Sequence, residues 1–248
     1  MQTSPDFLRL ISNDLRWQLL KALSHSDLRV QELVRRIGQP QNLVSYHLRL
    51  LLEKGLVDEH RSLADARSIY YSINLDRIEE LYALSGQSLH PALIKSKETM
   101  EGDPINSISH HRVLFLCTHN SARSQMAEAL LRARSGGGIN VFSAGTEPTE
   151  VNALAVQALA ELNIDMSSHR AKSLEEFIGQ PFDYVITVCD RAREACPVFP
   201  GDPVLIHWSF PDPMAAEETD LQRYEIFKKT AVQLNTRIGY LLIMMRQR

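Results

Sequence analysis

Apolar positions recur at helical spacing three times in the first third of the chain. Residues 14–23 gather Leu15, Leu19 and Leu23, with Trp17 and Leu20, into one broad apolar face. Residues 30–37 form a second, shorter periodic stretch, stopped by Gly38 and by Pro40 two residues on. Residues 41–53 form a third, with Leu43, Val44, Leu48, Leu51 and Leu52 apolar, and Gly55 closes it. Two helices joined by a short turn containing glycine predict a helix-turn-helix. Period-two alternation follows on both sides of a turn at residues 62–66, which predicts a β-hairpin over residues 56–73. Residues 75–84 read as another amphipathic helix. Breakers and small polar residues then dominate residues 85–91 and 101–107, a linker with one short helical turn between them at 92–100.

From residue 112 the pattern changes. Apolar strand-length runs at 113–116, 139–143, 184–188 and 204–206 alternate with helical stretches at 124–134 and 151–162, and a long helix starts near residue 220. Such alternation predicts an α/β domain with a four-stranded, mostly parallel sheet and a ligand site at the carboxyl ends of its strands. The expected organisation is an α+β domain at 1–85, a linker at 86–111 and an α/β domain at 112–248.

Composition changes this picture little. The 248 residues carry a formal charge of -3 and 44% hydrophobic residues, an ordinary globular balance in which any nucleic-acid-binding basic patch must be local. There is no run of 18 apolar residues and no basic-then-apolar leader, so the expectation is a cytoplasmic protein with no membrane partner. The three cysteines, Cys117, Cys189 and Cys196, all lie in the second half, and an odd count argues against a static disulfide framework.

The candidate chemistry centres on Cys117-Thr118-His119-Asn120-Ser121-Ala122-Arg123-Ser124, which leaves a strand and enters a helix. Backbone N–H groups, the positive end of the helix dipole and the Arg123 guanidinium would converge there on an oxyanion, phosphate or arsenate. The same field is expected to lower the Cys117 pKa and make it a nucleophile. Arg123 would hold two oxyanion oxygens, the Ser124 hydroxyl would bond the sulfur, and Asn120 would take an unusual backbone angle that fixes the loop. In the N-terminal third, the third helix and its entrance offer Gln39, Gln41, Asn42, Ser45, Tyr46, His47 and Arg49, donor-rich side chains that suit base edges and phosphates. Arg61 and Arg67 near the hairpin tip suit the adjoining backbone. His25 and His60 read as surface residues, and no metal site is expected.

Two resemblances build on these residues. The stretch from Gly38-Gln39-Pro40-Gln41-Asn42-Leu43-Val44-Ser45-Tyr46-His47-Leu48 to Leu56-Val57 resembles the winged-helix repressors of the ArsR/SmtB family. That resemblance implies a homodimer paired through its first and last helices, set on a double-stranded DNA operator with half-sites about one turn apart. Arsenic-responsive members carry a Cys-Val-Cys pair before the recognition helix, where this chain has Arg29 and Gln31. Thiol-based arsenic sensing would therefore have to pass through the second half.

Residues 112–246 resemble the low-molecular-weight protein tyrosine phosphatase fold, more closely its arsenate reductase branch. Beside the Cys117 loop, Val141-Phe142-Ser143-Ala144-Gly145-Thr146, Cys189-Asp190-Arg191-Ala192-Arg193-Glu194-Ala195-Cys196-Pro197 and His207-Trp208-Ser209-Phe210-Pro211-Asp212-Pro213 carry the match. The resemblance implies that Asp212 protonates the leaving oxygen and that Cys117, Cys189 and Cys196 form a disulfide cascade reduced by thioredoxin or a similar dithiol. It implies no bound cofactor. Some arsenate reductases hold potassium; Asn120, Glu128 and Ser143 match that site, but Lys172 stands where an aspartate would complete it, so potassium is not expected to be required. Two other functions fit the same residues: a phosphatase fused to a DNA-binding domain, in which Cys189 and Cys196 have no role, and a non-catalytic oxyanion sensor.

Overall fold

The computed structural model describes residues 5–62, 64–65, 67–90, 110–214 and 219–246. The chain divides into two compact units, Met1–Asp103 and Pro104–Arg248. The helical turn expected at residues 92–100 lies outside the described residues.

The first unit runs α1 (Asp6–Ile11), α2 (Asp14–Leu23), β1 (Leu28–Arg29), α3 (Val30–Ile37), α4 (Gln41–Glu53), β2 (Val57–Arg61), β3 (Ile69–Ile73) and α5 (Leu75–Leu89). Asn13 caps α2 by accepting from the Arg16 N–H at 3.1 Å. Gly38 ends α3 in the left-handed region, φ 72°, with its N–H on the Val34 carbonyl. The antiparallel sheet has the order β1-β3-β2. Leu19, Leu23, Leu33, Val44, Leu48, Leu51 and Leu56 fill the core beneath it. Neither α1 nor β1 was expected, because six and two residues are too short to display a period.

Four expectations need correction here. Trp17 is 52% exposed; at about 100° per residue it points some 200° away from Leu19 and cannot share its face. Leu43, expected in the core, is 38% exposed. His47, expected on the DNA face, is buried and lies 3.4 Å from the Arg16 guanidinium through Nδ1. The buried positions of α4 are Val44, His47, Leu48 and Leu51, a spacing of three, four and seven that includes the histidine and leaves Leu43 at the edge. Burial, then the Arg16 charge, push the His47 pKa down. Finally, α5 continues five residues past its expected end. Gly86 is tolerated inside it, the Ser85 and Ser88 hydroxyls bond back to the carbonyls of Leu81 (2.7 Å) and Ser85 (2.8 Å), and the helix stops before Pro91.

The second unit runs β4 (Arg112–Cys117), α6 (Arg123–Arg134), β5 (Asn140–Gly145), α7 (Ala153–Ala160), a 3-10 turn (Leu174–Glu176), β6 (Tyr184–Thr187), α8 (Asp190–Glu194), β7 (Val204–His207) and α9 (Asp220–Arg246). Its sheet has the order β5-β4-β6-β7, and every pairing is parallel. After β4 the chain goes to one side for β5 and returns to the other for β6, so the order reverses beside β4. Crevices form at the carboxyl ends of strands at such a reversal. Cys117 ends β4 there, and Cys189 follows β6 on the neighbouring strand, with Leu116 in register with Thr187. All residues of α6 from Arg123 to Leu131 are buried, because α6 packs against β4 and β5 and also against α9.

Gly145, at the end of β5, pairs with Cys117. A Cβ there would stand 2.7 Å from the Thr118 carbonyl oxygen and 2.8 Å from the Asn120 nitrogen. The sheet thus ends in a glycine because the Cys117 loop lies directly over it. Gly145→Ala is expected to cost about 1–3 kcal/mol of stability, the usual range for overpacking, and to weaken phosphate binding. Urea unfolding with and without phosphate measures both.

Candidate active site

The loop from Cys117 to Arg123 joins the buried end of β4 to the first turn of α6. Cys117 is 2% exposed. Its sulfur accepts from the Asn120 N–H at 3.0 Å and lies 2.9 Å from the Ser124 hydroxyl. The Asn120 amide donates to the Ser124 oxygen at 2.8 Å, which turns the serine proton toward the sulfur.

Asn120 is the hub of the loop. Its φ is 46°, in the left-handed region that asparagine tolerates better than most residues. Its amide nitrogen also donates to Ser143 Oγ at 2.9 Å, and its amide oxygen accepts from Gln125 Nε2 and the Lys172 N–H, both at 2.8 Å. Gln125, fully buried, donates in turn to the Arg170 carbonyl at 2.7 Å and meets His169 Nδ1 at 2.8 Å. The sequence had marked Gln125 only as a helix residue. Its position directly after Arg123-Ser124, inside the helix turn beneath the loop, was the available signal.

Arg123 is buried and directed across the pocket mouth. Its Nη1 donates to the Phe210 carbonyl at 3.0 Å and its Nη2 lies 3.5 Å from Asp212. The loop containing Asp212 is thereby held against Arg123, at the end of the Cys117 loop. Arg237 of α9 places its guanidinium 6.0 Å from the Trp208 ring and 5.5 Å from the Phe210 ring of the same loop.

Behind the loop lies the set matching a cation site. Glu128, 4% exposed, receives the Lys172 ammonium at 3.0 Å, Ser143 Oγ at 2.5 Å and Arg132 at 2.5 Å. Lys172 also donates to the Arg170 carbonyl at 3.2 Å. An ionised carboxylate buried this far needs such partners to offset its lost hydration.

The three cysteines are free thiols. Cys189 is buried, caps α8 by accepting from the Ala192 N–H at 3.4 Å, and sits 3.4 Å from Thr118 Oγ1 of the Cys117 loop. Cys196 is half-buried, its sulfur 3.7 Å from the Pro197 carbonyl. Burial pushes the Cys196 thiol up. It also pushes Cys117 up, against the expected lowering; the Arg123 charge and the Ser124 bonds work in the opposite direction, and negative charge at Cys189 adds to the rise. The sulfur sits too deep for the Arg123 guanidinium to outweigh desolvation.

The remaining residues fall where the two units put them. Thr118, Ser121 and Ala122 lie in the loop, and His119 stands at its rim, 3.1 Å from the Glu147 carbonyl. In the first unit Gln39, Gln41, Asn42, Ser45, Tyr46 and Arg49 are exposed at or along α4, and Arg61 and Arg67 are exposed on the hairpin. Only His47 is withdrawn from that surface. Among the described residues of the hairpin turn, the Ser62 hydroxyl accepts from the Ala64 and Asp65 N–H groups, and the Arg67 N–H donates to Asp65.

Residues 112–247 match the model of the low molecular weight phosphotyrosine protein phosphatases. The chain belongs to that family. Residues 13–59 match the arsR family of bacterial regulatory proteins, so this phosphatase-family chain carries an arsR-type helix-turn-helix ahead of its α/β domain. It is similar to an arsenate reductase of Halalkalibacterium halodurans, 38% identical over 51% of this chain and 91% of that one. An arsenate reductase of Staphylococcus aureus is 39% identical over 49% of this chain and 92% of that one. Among solved structures, an arsenate reductase from Archaeoglobus fulgidus is 30% identical, covering 52% of this chain and 98% of its own, with a TM-score of 0.43.

Since the Ser124 hydroxyl lowers the Cys117 pKa, Ser124→Ala is expected to slow iodoacetamide alkylation of Cys117 at pH 7 by about tenfold, the worth of one hydrogen bond to an ionised group. Cys189 and Cys196 are replaced by serine for this measurement, so that only Cys117 reacts.

Proposed function

We propose that the chain is both an operator-binding regulator and a thioredoxin-coupled arsenate reductase. What supports the reductase over a phosphatase is one observation: Cys189 follows the strand beside the strand that Cys117 ends, next to the same loop, with Cys196 seven residues on. A phosphatase needs only the first of these thiols. The relatives named arsenate reductase point the same way.

In this mechanism Arg123 and the loop N–H groups bind arsenate, and Cys117 sulfur displaces an oxygen that leaves as water with a proton from Asp212. A dianionic substrate can take up the thiol proton, which accommodates a Cys117 held protonated by burial. Cys189 sulfur then attacks Cys117 sulfur. The S–As bond breaks, its electron pair stays on arsenic, arsenite leaves, and a Cys117–Cys189 disulfide remains. Cys196 attacks Cys189, releasing Cys117 as thiolate and leaving a Cys189–Cys196 disulfide that a dithiol such as thioredoxin reduces by exchange.

The first unit contributes the operator contacts through Gln39, Gln41, Asn42, Ser45, Tyr46, Arg49, Arg61 and Arg67. The homodimer forms through α1 and α5, where Leu8, Tyr82 and Leu84 are 37%, 47% and 50% exposed. Both activities belong to the cytoplasm, where thioredoxin and DNA are available. No helix among the described residues is long and apolar enough to cross a membrane.

Cys189→Ser is expected to abolish arsenate turnover with thioredoxin, thioredoxin reductase and NADPH while sparing p-nitrophenyl phosphate hydrolysis. Turnover that survives this change rules out the cascade. The Lys172 ammonium takes the place of the potassium ion, so rates in potassium and sodium buffers should agree within about twofold. Strong activation by potassium sinks that assignment.

A further inference from the structure

A buried polar cluster outside the oxyanion loop takes no part in the chemistry above. Asp190, directly after Cys189, is 6% exposed; His207 and Ser209, which flank Trp208 at the start of the acid loop, are 3% and 7% exposed. His207 Nε2 lies 3.1 Å from Asp190 Oδ1, and Ser209 Oγ donates to the same carboxylate oxygen. An ionised carboxylate only accepts, so Nε2 carries the proton. His207 Nδ1 meets the Thr187 hydroxyl at 2.8 Å, at the end of β6. The first residue of α8 therefore holds two residues of the loop that carries Asp212. The next residue of that loop is held by Arg123 on the Phe210 carbonyl.

The cascade acts directly beside this attachment, because Asp190 is the first residue of the helix that Cys189 caps. The Cys189 sulfur caps α8 by accepting from the Ala192 N–H, and a disulfide to Cys196 needs the two Cα atoms within about 7 Å. Drawing that sulfur into the new bond takes the N-terminal acceptor from a five-residue helix, which frees α8 (Asp190–Glu194) to unwind. Asp190 sits between the moving sulfur and the unwinding helix.

We propose that Asp190 is a positioning residue that couples the redox state of Cys189 to the acid loop. In the reduced protein its carboxylate holds His207 and Ser209, and through them Asp212, over Cys117. In the Cys189–Cys196 disulfide form the carboxylate withdraws and the acid loop loosens. The disulfide step rests on the cascade proposed above; the attachment itself does not.

The test uses the full chain with Cys189 and Cys196 oxidised by an azodicarboxamide, which takes two electrons and two protons from the two thiols. The product is isolated with Cys117 still titrating as a free thiol. Hydrolysis of aryl phosphates of graded leaving-group basicity then reports on the acid. Oxidation is expected to lower kcat at least fivefold for basic leaving groups, little for p-nitrophenol, and to leave KM within twofold. Asp190→Asn and the milder Ser209→Ala should show the oxidised pattern while still reduced, and oxidation should add nothing to it. In a Trp17→Phe background, Trp208 emission should shift on oxidation in the parent and not in Asp190→Asn. Because emission needs no turnover, it decides the matter even if hydrolysis is too slow to read. Unchanged leaving-group dependence and unchanged emission on oxidation overturn the coupling. Absence of arsenate turnover beside an intact coupling overturns only the reductase reading.

Discussion

Everything at the active site depends on holding the Cys117 loop in one shape, with the Asn120 N–H on the Cys117 sulfur. Asn120 meets that constraint. It supplies the left-handed backbone step that turns the loop, and its side chain engages Ser124, Ser143, Gln125 and the Lys172 backbone together. Those partners come from α6, β5 and the segment before the 3-10 turn, so three separate parts of the fold fix one loop. The glycine at the end of β5 completes the arrangement by leaving room for the loop backbone.

The same constraint explains the electrostatics. A loop rigid enough to present its donors is also deep enough to desolvate the sulfur, and burial outweighs the guanidinium at Cys117. The tight enclosure of the sulfur and the upward push on its pKa are two results of one geometry. Behind the loop, Lys172 and Arg132 balance the buried Glu128, so the support carries its own cation. The placement of Cys189 beside Thr118 follows from the strand order, because adjacent parallel strands must end side by side.

Long periodic stretches were legible in the sequence: α2, α3 and α4 begin and end where their caps and glycines indicated. The motif residues around Cys117, Cys189 and Asp212 could be named, but their supports could not. Gln125, Asp190, His207 and Ser209 are polar side chains in buried places, and residue type alone does not separate them from solvated ones. His47 is the converse case. Its residue type suggested a surface, while its spacing from Val44 and Leu51 already placed it in the core. Trp17 was assigned by hydrophobicity when its angle around the helix should have decided. Very short elements, α1 and β1, have no pattern to read because tertiary packing alone defines them.

The cap of α8 has a chemical consequence. Its N-terminal acceptor is the sulfur of Cys189 itself, on the Ala192 N–H. A helix of five residues is far below the length at which helices hold by themselves, so losing this cap matters more than it would in a long helix. Any reaction that draws this sulfur toward Cys117 takes the acceptor away at the same moment. The bond-making event would then also be the melting event, and no separate trigger would be needed to free the chain between the two cysteines.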